Sequence, residues 1–548
     1  MVIMNDLQVH PSRKILLVVT TGGFTHAAPV LEIGRVLAER GHTIEFATLE
    51  GQEHWIKATE YRFIEKIHPL GPGPSHEQYD DHYRRMQSWD ISKGISAAME
   101  SKYLFDSFWP QTYHRLKDIM NNPVTRPAFI IADFFVEAAH DIHVEYNLPI
   151  AIVSPTMPAL QMPCSYIPGQ PGFQLPGVLT SEDTPMWLRM KSELFLLPDI
   201  LSIIRFGIRT KKMRQDNGVF RPLHKPKKPD YLVFINSFIG LEIPRDLPPT
   251  CAPVGPILSP IYSPLDEQCG FFLERHRSVL YIALGTHIIL PHVDAIKIIH
   301  GVSRLMNEGL LDGIIWAMGK TCRIDIDRSA SLDIEFGDSI KCVSLGDLLD
   351  NKHPDWIFPF FAPQRAILNH DSTKLYFTHG GGSSANEALY HGKPMLSMGI
   401  FSDQIANTTR LVAGGVAESL SKLGFTADEL YAKAKKILSP EGPNPGDDSY
   451  TRNVLRLKRI AHVASRRKYY AADLIEELMY DNELRFKDRK ELRPMHLQTA
   501  DMRMPWYKAS NMDMYAIGGL AFSMVAGFSW LTGYYGWKYW SLGRATDL

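Results

Sequence analysis

At 548 residues the chain is too long for one hydrophobic core and suits two domains with additions. Apolar residues make up 45% and charged residues 22%, the balance of a globular rather than a disordered protein, and the net charge of −1 gathers neither nucleic acid nor anionic lipid. Five scattered cysteines (Cys164, Cys251, Cys269, Cys322, Cys342) with no CxxC pair exclude a disulfide framework and a structural zinc site, as in a chain kept in a reducing compartment.

The first apolar run, Ile15–Val19, is too short for a secretory signal and runs into a Gly-Gly turn, so it reads as a buried parallel strand. A helix follows over Ala28–Arg40, then a strand over Thr43–Leu49. Strand Ala128–Ala132, helix Val136–Tyr146 and strand Ile150–Ser154 continue the alternation. Strands alternating with helices predict a doubly wound parallel sheet, whose sites lie beyond the carboxyl ends of its strands. Segment Trp187–Thr210 has apolar residues at helical spacing, and Arg205, Arg209, Lys211, Lys212, Arg214 and Lys225 gather along it and just beyond. That pattern fits a surface lying on a membrane and equally a solvated excursion around a cleft.

Seven prolines between Leu241 and Pro264 mark a stiff connector between two domains, 12–240 and 265–450. The α/β rhythm then resumes. Strand Val279–Leu284, helix His292–Glu308 and strand Ile314–Ala317 come first, with further strands near Ile340 and Trp356. Strand Leu375–Thr378, a helix from about Ser383, strand Met395–Ser397 and a helix over Asp403–Ala413 complete it, and Thr426 with Glu429 forms a capping box for another. A charged helical region over 451–511 precedes Met514–Trp537, 24 residues without Asp, Glu, Lys or Arg. As a helix it would measure about 36 Å at ~1.5 Å per residue, enough to span a bilayer core of ~30 Å. Flanking aromatics such as Tyr515, Trp537 and Trp540 suit its interfaces, so 512–537 is predicted to be a transmembrane helix with a short tail, 538–548.

Three constellations carry chemistry. Thr20-Thr-Gly-Gly-Phe-Thr-His26 lies between the first strand and the first helix. Its glycines, Gly23 among them, let a ligand approach, and His26 is a candidate general base. Asp133 ends a strand at the same edge and could orient His26 or cap the next helix, with Glu137 and Asp141 as rivals. In the segment Phe361–Gln404, strand Leu375–Thr378 leads through His379, Gly380, Gly381 and Gly382 into a helix carrying Ser383, Ser384 and Glu387. Backbone N–H groups at such a terminus form an anion site for a diphosphate. Glu387 could hold ribose hydroxyls, and Asp403 with Gln404 those of a sugar.

The order Phe361-Ala-Pro-Gln364, Ile367-Leu-x-His370, Phe377-Thr-His-Gly380, Glu387, Gly392-Lys-Pro-Met395 and Asp403-Gln404 resembles the signature of family 1 UDP-glycosyltransferases. Asn236-Ser237 through Val254-Gly255, and the approach Arg493–Met514, resemble the membrane-anchored animal and fungal members. The resemblance implies a GT-B fold of two facing Rossmann-like domains and inverting transfer without a metal ion or other cofactor. It further implies His26 as catalytic base with Asp133 as its partner. Phe361 would stack on uracil and Gln364 would bind it. Thr286 and His379 would contact the diphosphate beside the Gly380–Ser384 backbone, Glu387 the ribose, and Asp403 and Gln404 the hexose. The family usually has Trp at Phe361 and Asn at Ser383.

The expected activity is transfer of a hexose, glucose foremost, from a UDP-sugar to a hydroxyl of a small lipophilic acceptor such as a sterol, phenolic or lipid. UDP-glucuronate as donor and a non-catalytic nucleotide-sugar binder are the alternatives. A span at the far end resembles a tail anchor, with the enzyme domains on the cytosolic side of the endoplasmic reticulum. Lys538 and Arg544 pull the other way, and the sequon Asn407-Thr-Thr409 lies too near the donor segment to indicate lumenal glycosylation.

Overall fold

The computed structural model describes residues 11–57, 59–90, 94, 96, 99–156, 184–194, 196–223, 228–336, 339–439, 449–487, 490–491 and 496–545. Cys164, Lys225 and Arg493 lie outside the described residues. Two parallel sheets organise the chain. The first takes strands β1 (Lys14–Val19), β2 (Thr43–Glu50), β3 (Ile64–Pro72), β4 (Phe129–Asp133), β5 (Ile150–Ser154), β6 (Leu232–Ile235) and β7 (Cys251–Pro253), in the order β3-β2-β1-β4-β5-β6-β7. β8 (Val279–Ala283) and β9 (Gly313–Ala317) open the second half. An antiparallel pair, β10 (Ser331–Phe336) and β11 (Ser339–Ser344), follows them. β12 (Trp356–Ile357), β13 (Thr373–Thr378), β14 (Met395–Ser397) and β15 (Ala417–Ser419) complete the second sheet, in the order β12-β9-β8-β13-β14-β15.

Numbered from its own first strand and leaving out the antiparallel pair, each sheet runs 3-2-1-4-5-6, and the first adds β7 as a seventh strand at its edge. The strand order reverses at β1/β4 in one and at β8/β13 in the other, and those two crevices are where ligands bind in such sheets. The strands form because their apolar runs are covered on both faces. Along β1, Ile15, Leu17 and Val19 enter one core layer while Leu16 and Val18 enter the opposite one. With two parallel-sheet α/β halves facing one another, the architecture is GT-B with an added C-terminal helix.

Several elements depart from the sequence reading. The first helix is Phe24–Glu39 and begins four residues early. Cys251–Pro253, inside the stretch read as linker, is the edge strand of the first sheet, a position where Pro253 breaks no ladder bond to a further strand. The strand at Ile340 pairs with β10 instead of joining the second sheet. Trp187–Thr210 is split into helices Met186–Glu193 and Ile200–Asp216 by a turn at Leu197–Asp199 that contains Pro198. Within 451–511, helix Ser449–Ala464 packs on the second half through Val454, Leu457 and Ala461. Helix Arg467–Arg485 crosses back to the first core through Ala471, Leu474, Ile475, Leu478 and Met479. Each large apolar residue buried there contributes on the order of 2 kcal/mol. Arg40 grips that helix at Asp473 and Glu476, and Lys468 reaches Glu32 at 2.5 Å. The last helix runs from Met512 to Ala545, past Trp537. Its segment Met512–Leu542 is long and apolar enough to cross a membrane and is not buried against the rest of the chain.

Candidate active site

The crevice of the first sheet holds His26 and Asp133. Gly23 caps the first helix with φ of 75°, and Gly22 precedes it at 86°. A Cβ on Gly22 would sit 2.4 Å from the His26 ring, so only glycine admits the imidazole there. His26 therefore stands on the first helical turn, not in the loop, because Gly23 supplies the left-handed backbone that starts the helix early. Pro29 in the same helix has no N–H to give the Thr25 carbonyl, which is left facing the cleft. Asp133, the last residue of β4, accepts from His26 Nδ1 at 2.9 Å through Oδ2 and from the Phe135 N–H at 3.0 Å through Oδ1. With Nδ1–H committed to the carboxylate, Nε2 carries the free lone pair. Phe134 and Phe135 stack on the ring at 5.5 and 4.9 Å. Burial would lower the His26 pKa, but the Asp133 charge and hydrogen bond, helped by Asp403, raise it above 6.5. The rivals are engaged elsewhere, Asp141 with Arg214 and Glu137 with Lys102.

The crevice of the second sheet holds a backbone nest. β8 leads through Leu284 into Gly285 and Thr286, and β13 leads into His379, Gly380 and Gly381. Gly381 caps the helix Gly382–His391, whose first N–H groups, on Gly382, Ser383 and Ser384, have no partner within the helix. The glycines are steric requirements. A Cβ on Gly381 would lie 2.5 Å from His379 Nε2, and one on Gly380 (φ 75°) would lie 2.6 Å from Thr408 Oγ1. Burial pushes the His379 imidazole down to about 4, with the Ala283 carbonyl opposing and His287 adding to it, so the ring is neutral near pH 7.

Gln364 donates to Glu387 at 2.7 Å and accepts from Tyr376 at 3.0 Å and Tyr281 at 3.3 Å, so both ends of its amide are used inside the protein. Burial raises the Glu387 pKa, and the Gln364 bond partly offsets that. Phe361 projects into the cleft, 78% exposed, free to stack on a planar ring. Gln404 is buried. Its Oε1 accepts from the N–H groups of Ile400 and Phe401, both at 3.2 Å. Asp403 accepts from Asn407 at 2.9 Å, and burial raises its pKa against the pull of His26. Ser402 just before it has φ of 55°, a strained value for a side chain with a Cβ. Ser383 reaches across the cleft to the Thr25 carbonyl at 3.5 Å, the acceptor that Pro29 leaves vacant.

Comparison with known proteins agrees with this geometry. Residues 348–526 match the family described as UDP-glucoronosyl and UDP-glucosyl transferase. A UDP-glycosyltransferase of Talaromyces amestolkiae is 43% identical over 522 residues, covering 94% of this chain and 96% of the relative. This chain belongs to the UDP-glycosyltransferase family. The glycotransferase of kitacinnamycin superposes with a TM-score of 0.57 at 19% identity, covering 85% of this chain and 98% of that one. UDP-glucose: anthocyanidin 3-O-glucosyltransferase, solved in complex with UDP, follows at 0.55 and 16% identity over 85% and 99% of the two chains. Both share the fold.

In this UDP-glycosyltransferase one cavity of about 1590 Å³ contains both crevices, larger than the ~300–1,000 Å³ of a site for one small molecule and suited to two substrates. The first half lines it with Met86, Trp89, Phe105, Phe134, Phe135 and Phe206, a mainly apolar wall. Helix Ile200–Asp216 contributes Ile203 and Phe206 to that wall while Leu201, Ile204 and Ile208 stay exposed, so it borders the cleft and also presents an apolar outer face. Helix His76–Ser88 docks the halves together. Arg84 forks onto Asp325, Gln87 pairs with both backbone groups of Ile289, and Lys422 bonds the Gln87 carbonyl. Sequence reasoning passed over that helix, and over His287, although His287 follows a strand through Gly285-Thr286 much as His26 follows Gly22-Gly23.

Proposed function

We propose that the enzyme transfers a neutral hexose, glucose foremost, from its UDP-sugar to a hydroxyl of a lipophilic acceptor, with inversion at the anomeric carbon. The observation that carries the reading is His26, held from behind by Asp133 at 2.9 Å, lining the same cavity as the glycine nest. The acceptor lies against the aromatic wall, and His26 Nε2 takes its proton as the oxygen attacks the anomeric carbon. Asp133 then stabilises the imidazolium. The anomeric C–O bond breaks, and its electrons leave with UDP into the nest of Thr286, His379 and the N–H groups of Gly382–Ser384. Phe361 stacks on uracil. Glu387, held by Gln364, accepts from the ribose hydroxyls, and Asp403 and Gln404 hold the hexose. The nest takes up the diphosphate charge with protein groups, so the reading assigns no metal ligand.

Asp403 and Gln404 offer hydrogen-bonding groups to the hydroxyls of a neutral hexose and of glucuronate alike, so UDP-glucuronate is the alternative donor. The apolar wall and the C-terminal apolar helix support a lipophilic acceptor that partitions into a bilayer. That helix would anchor the enzyme with its sheets facing the cytosol at the endoplasmic reticulum, and protease protection of the sheets in sealed microsomes would refute the orientation. The deciding assay crosses sterol, phenolic and lipid acceptors with UDP-glucose, UDP-galactose, UDP-N-acetylglucosamine and UDP-glucuronate. UDP-glucose is expected to give the highest turnover, and preference for UDP-glucuronate would overturn the donor assignment.

A further inference from the structure

Between the base and the nest stands a residue with no role so far. His287 follows Thr286 on the loop after β8, and its ring lies flat on Tyr83 of the other half, centroids 4.3 Å apart at 10°, with Tyr79 beyond it at 6.0 Å. The loop is pinned two residues on, where Ile289 donates its N–H to Gln87 Oε1 at 3.0 Å. The ring is thus fixed by two aromatic residues of one half and by the backbone of the other. Its Nε2 edge comes within 3.4 Å of the Cβ position of Gly23, the residue that caps the His26 helix. It is also close enough to His26 on one side and His379 on the other to bear on them electrostatically. Neither ring nitrogen has a hydrogen-bond partner among the described residues.

An imidazole held there only for stacking would be replaceable by a phenyl ring, and this half-buried ring lines the cleft with its nitrogens unpaired by the protein. The edge therefore points to a ligand group. Burial, with His26 and His82 adding to it, pushes the imidazole down to about 4, so near pH 7 it offers one N–H donor and one lone pair. A sugar hydroxyl can pair with Nε2 in either tautomer, giving or accepting, whereas a diphosphate oxygen can pair with it only when Nε2 carries the proton.

We infer that His287 hydrogen-bonds a hydroxyl of the transferred sugar and sets its anomeric carbon beneath His26. The assignment rests on the reading that a UDP-sugar occupies this cleft, but its test does not require turnover. Calorimetry on the full-length protein compares the Kd of UDP-glucose with that of UDP in wild type, His287→Phe and His287→Asn. Phenylalanine keeps the stack on Tyr83 and lacks the nitrogens, and it is expected to weaken UDP-glucose about tenfold while UDP stays within twofold. Asparagine restores a donor and an acceptor and is expected to recover part of the loss. Should the phenyl variant not fold, His287→Leu set against His287→Asn makes the comparison with the stack absent from both. Unchanged UDP-glucose affinity would reduce His287 to a stacking residue, and a parallel loss for UDP would move the contact to the diphosphate. Either result overturns the assignment. A wild type that binds both ligands but transfers nothing would sink the proposed function alone.

Discussion

The two halves share one strand order and place their ligand crevices at equivalent strands, yet they load them with opposite chemistry. At β1/β4 a carboxylate at 2.9 Å raises the pKa of His26, and aromatic rings wall the site. At β8/β13 burial without a facing carboxylate holds His379 and His287 down at about 4, and the polar groups offered are largely backbone N–H. The fold therefore fixes where chemistry happens, and a single acidic partner decides whether a histidine there takes up a proton or stays neutral. Titratable groups driven apart in this way mark separate roles in one reaction. The comparison predicts that damage to the first crevice stops the chemistry, whereas damage to the second weakens the donor.

The largest effect belongs to His26→Ala. Loss of the base should lower kcat by about 10³-fold or more, within or near the range for general-base removal, while the Kd of UDP stays within twofold. Stopped transfer assays beside calorimetry would show it, and retained turnover would move the base elsewhere in the cleft.

Asp133→Asn comes next, with kcat falling on the order of 10²-fold because the imidazolium loses its counter-charge. A pH profile reads the cause. The base works only when neutral, so activity rises with pH through the His26 pKa, which lies above 6.5 in the wild type. In the asparagine variant the dominant remaining influence is burial, which lowers that pKa, so the acidic limb should move to lower pH. The linkage has the opposite sign for stability. A raised histidine pKa stabilises the fold below about pH 6.5, and that contribution disappears as pH climbs through the raised value. An unmoved limb in the variant would dissociate His26 from Asp133.

Gly381→Ala tests the second crevice. Its Cβ would lie 2.5 Å from His379 Nε2 and must displace the ring. The Kd of UDP should rise about tenfold, the loss of one or two good hydrogen bonds, while the acidic limb of the pH profile stays in place. A shifted limb with intact UDP binding would invert the division of labour between the halves.

Much of this division was legible in the sequence, because both crevices sit where apolar runs end in glycine, histidine or aspartate. Strands Ile150–Ser154 and Met395–Ser397 and helix Asp403–Ala413 have the expected bounds, since turn-forming or polar residues punctuate them on both sides. The start of the first helix was hidden because Phe24-Thr25-His26 lacks amphipathic spacing and Pro29 reads as a break. The engagement of Gln364 with Glu387, Tyr281 and Tyr376 is a tertiary arrangement that no spacing announces. Helix Arg467–Arg485 carries its apolar stripe openly, but nothing local says that it returns to the first half. His287 was missed for a similar reason, since its role depends on Tyr83 and Gly23, which belong to the other half of the molecule.

The smallest effect should come from Ser383, where the halves touch. Its hydroxyl donates to the Thr25 carbonyl at 3.5 Å, at the limit of a hydrogen bond, and Pro29 is the reason that carbonyl is free. Ser383→Ala removes this one long contact and leaves the helix N–H groups untouched. The KM for UDP-glucose should change by no more than about twofold, equivalent to roughly 0.4 kcal/mol. Steady-state kinetics at fixed acceptor would measure it beside Gly381→Ala. If the backbone holds the diphosphate, the glycine variant must cost more than the serine variant. A reversal would transfer the donor contact from the nest to the Ser383 hydroxyl, and with it the reason for three consecutive glycines.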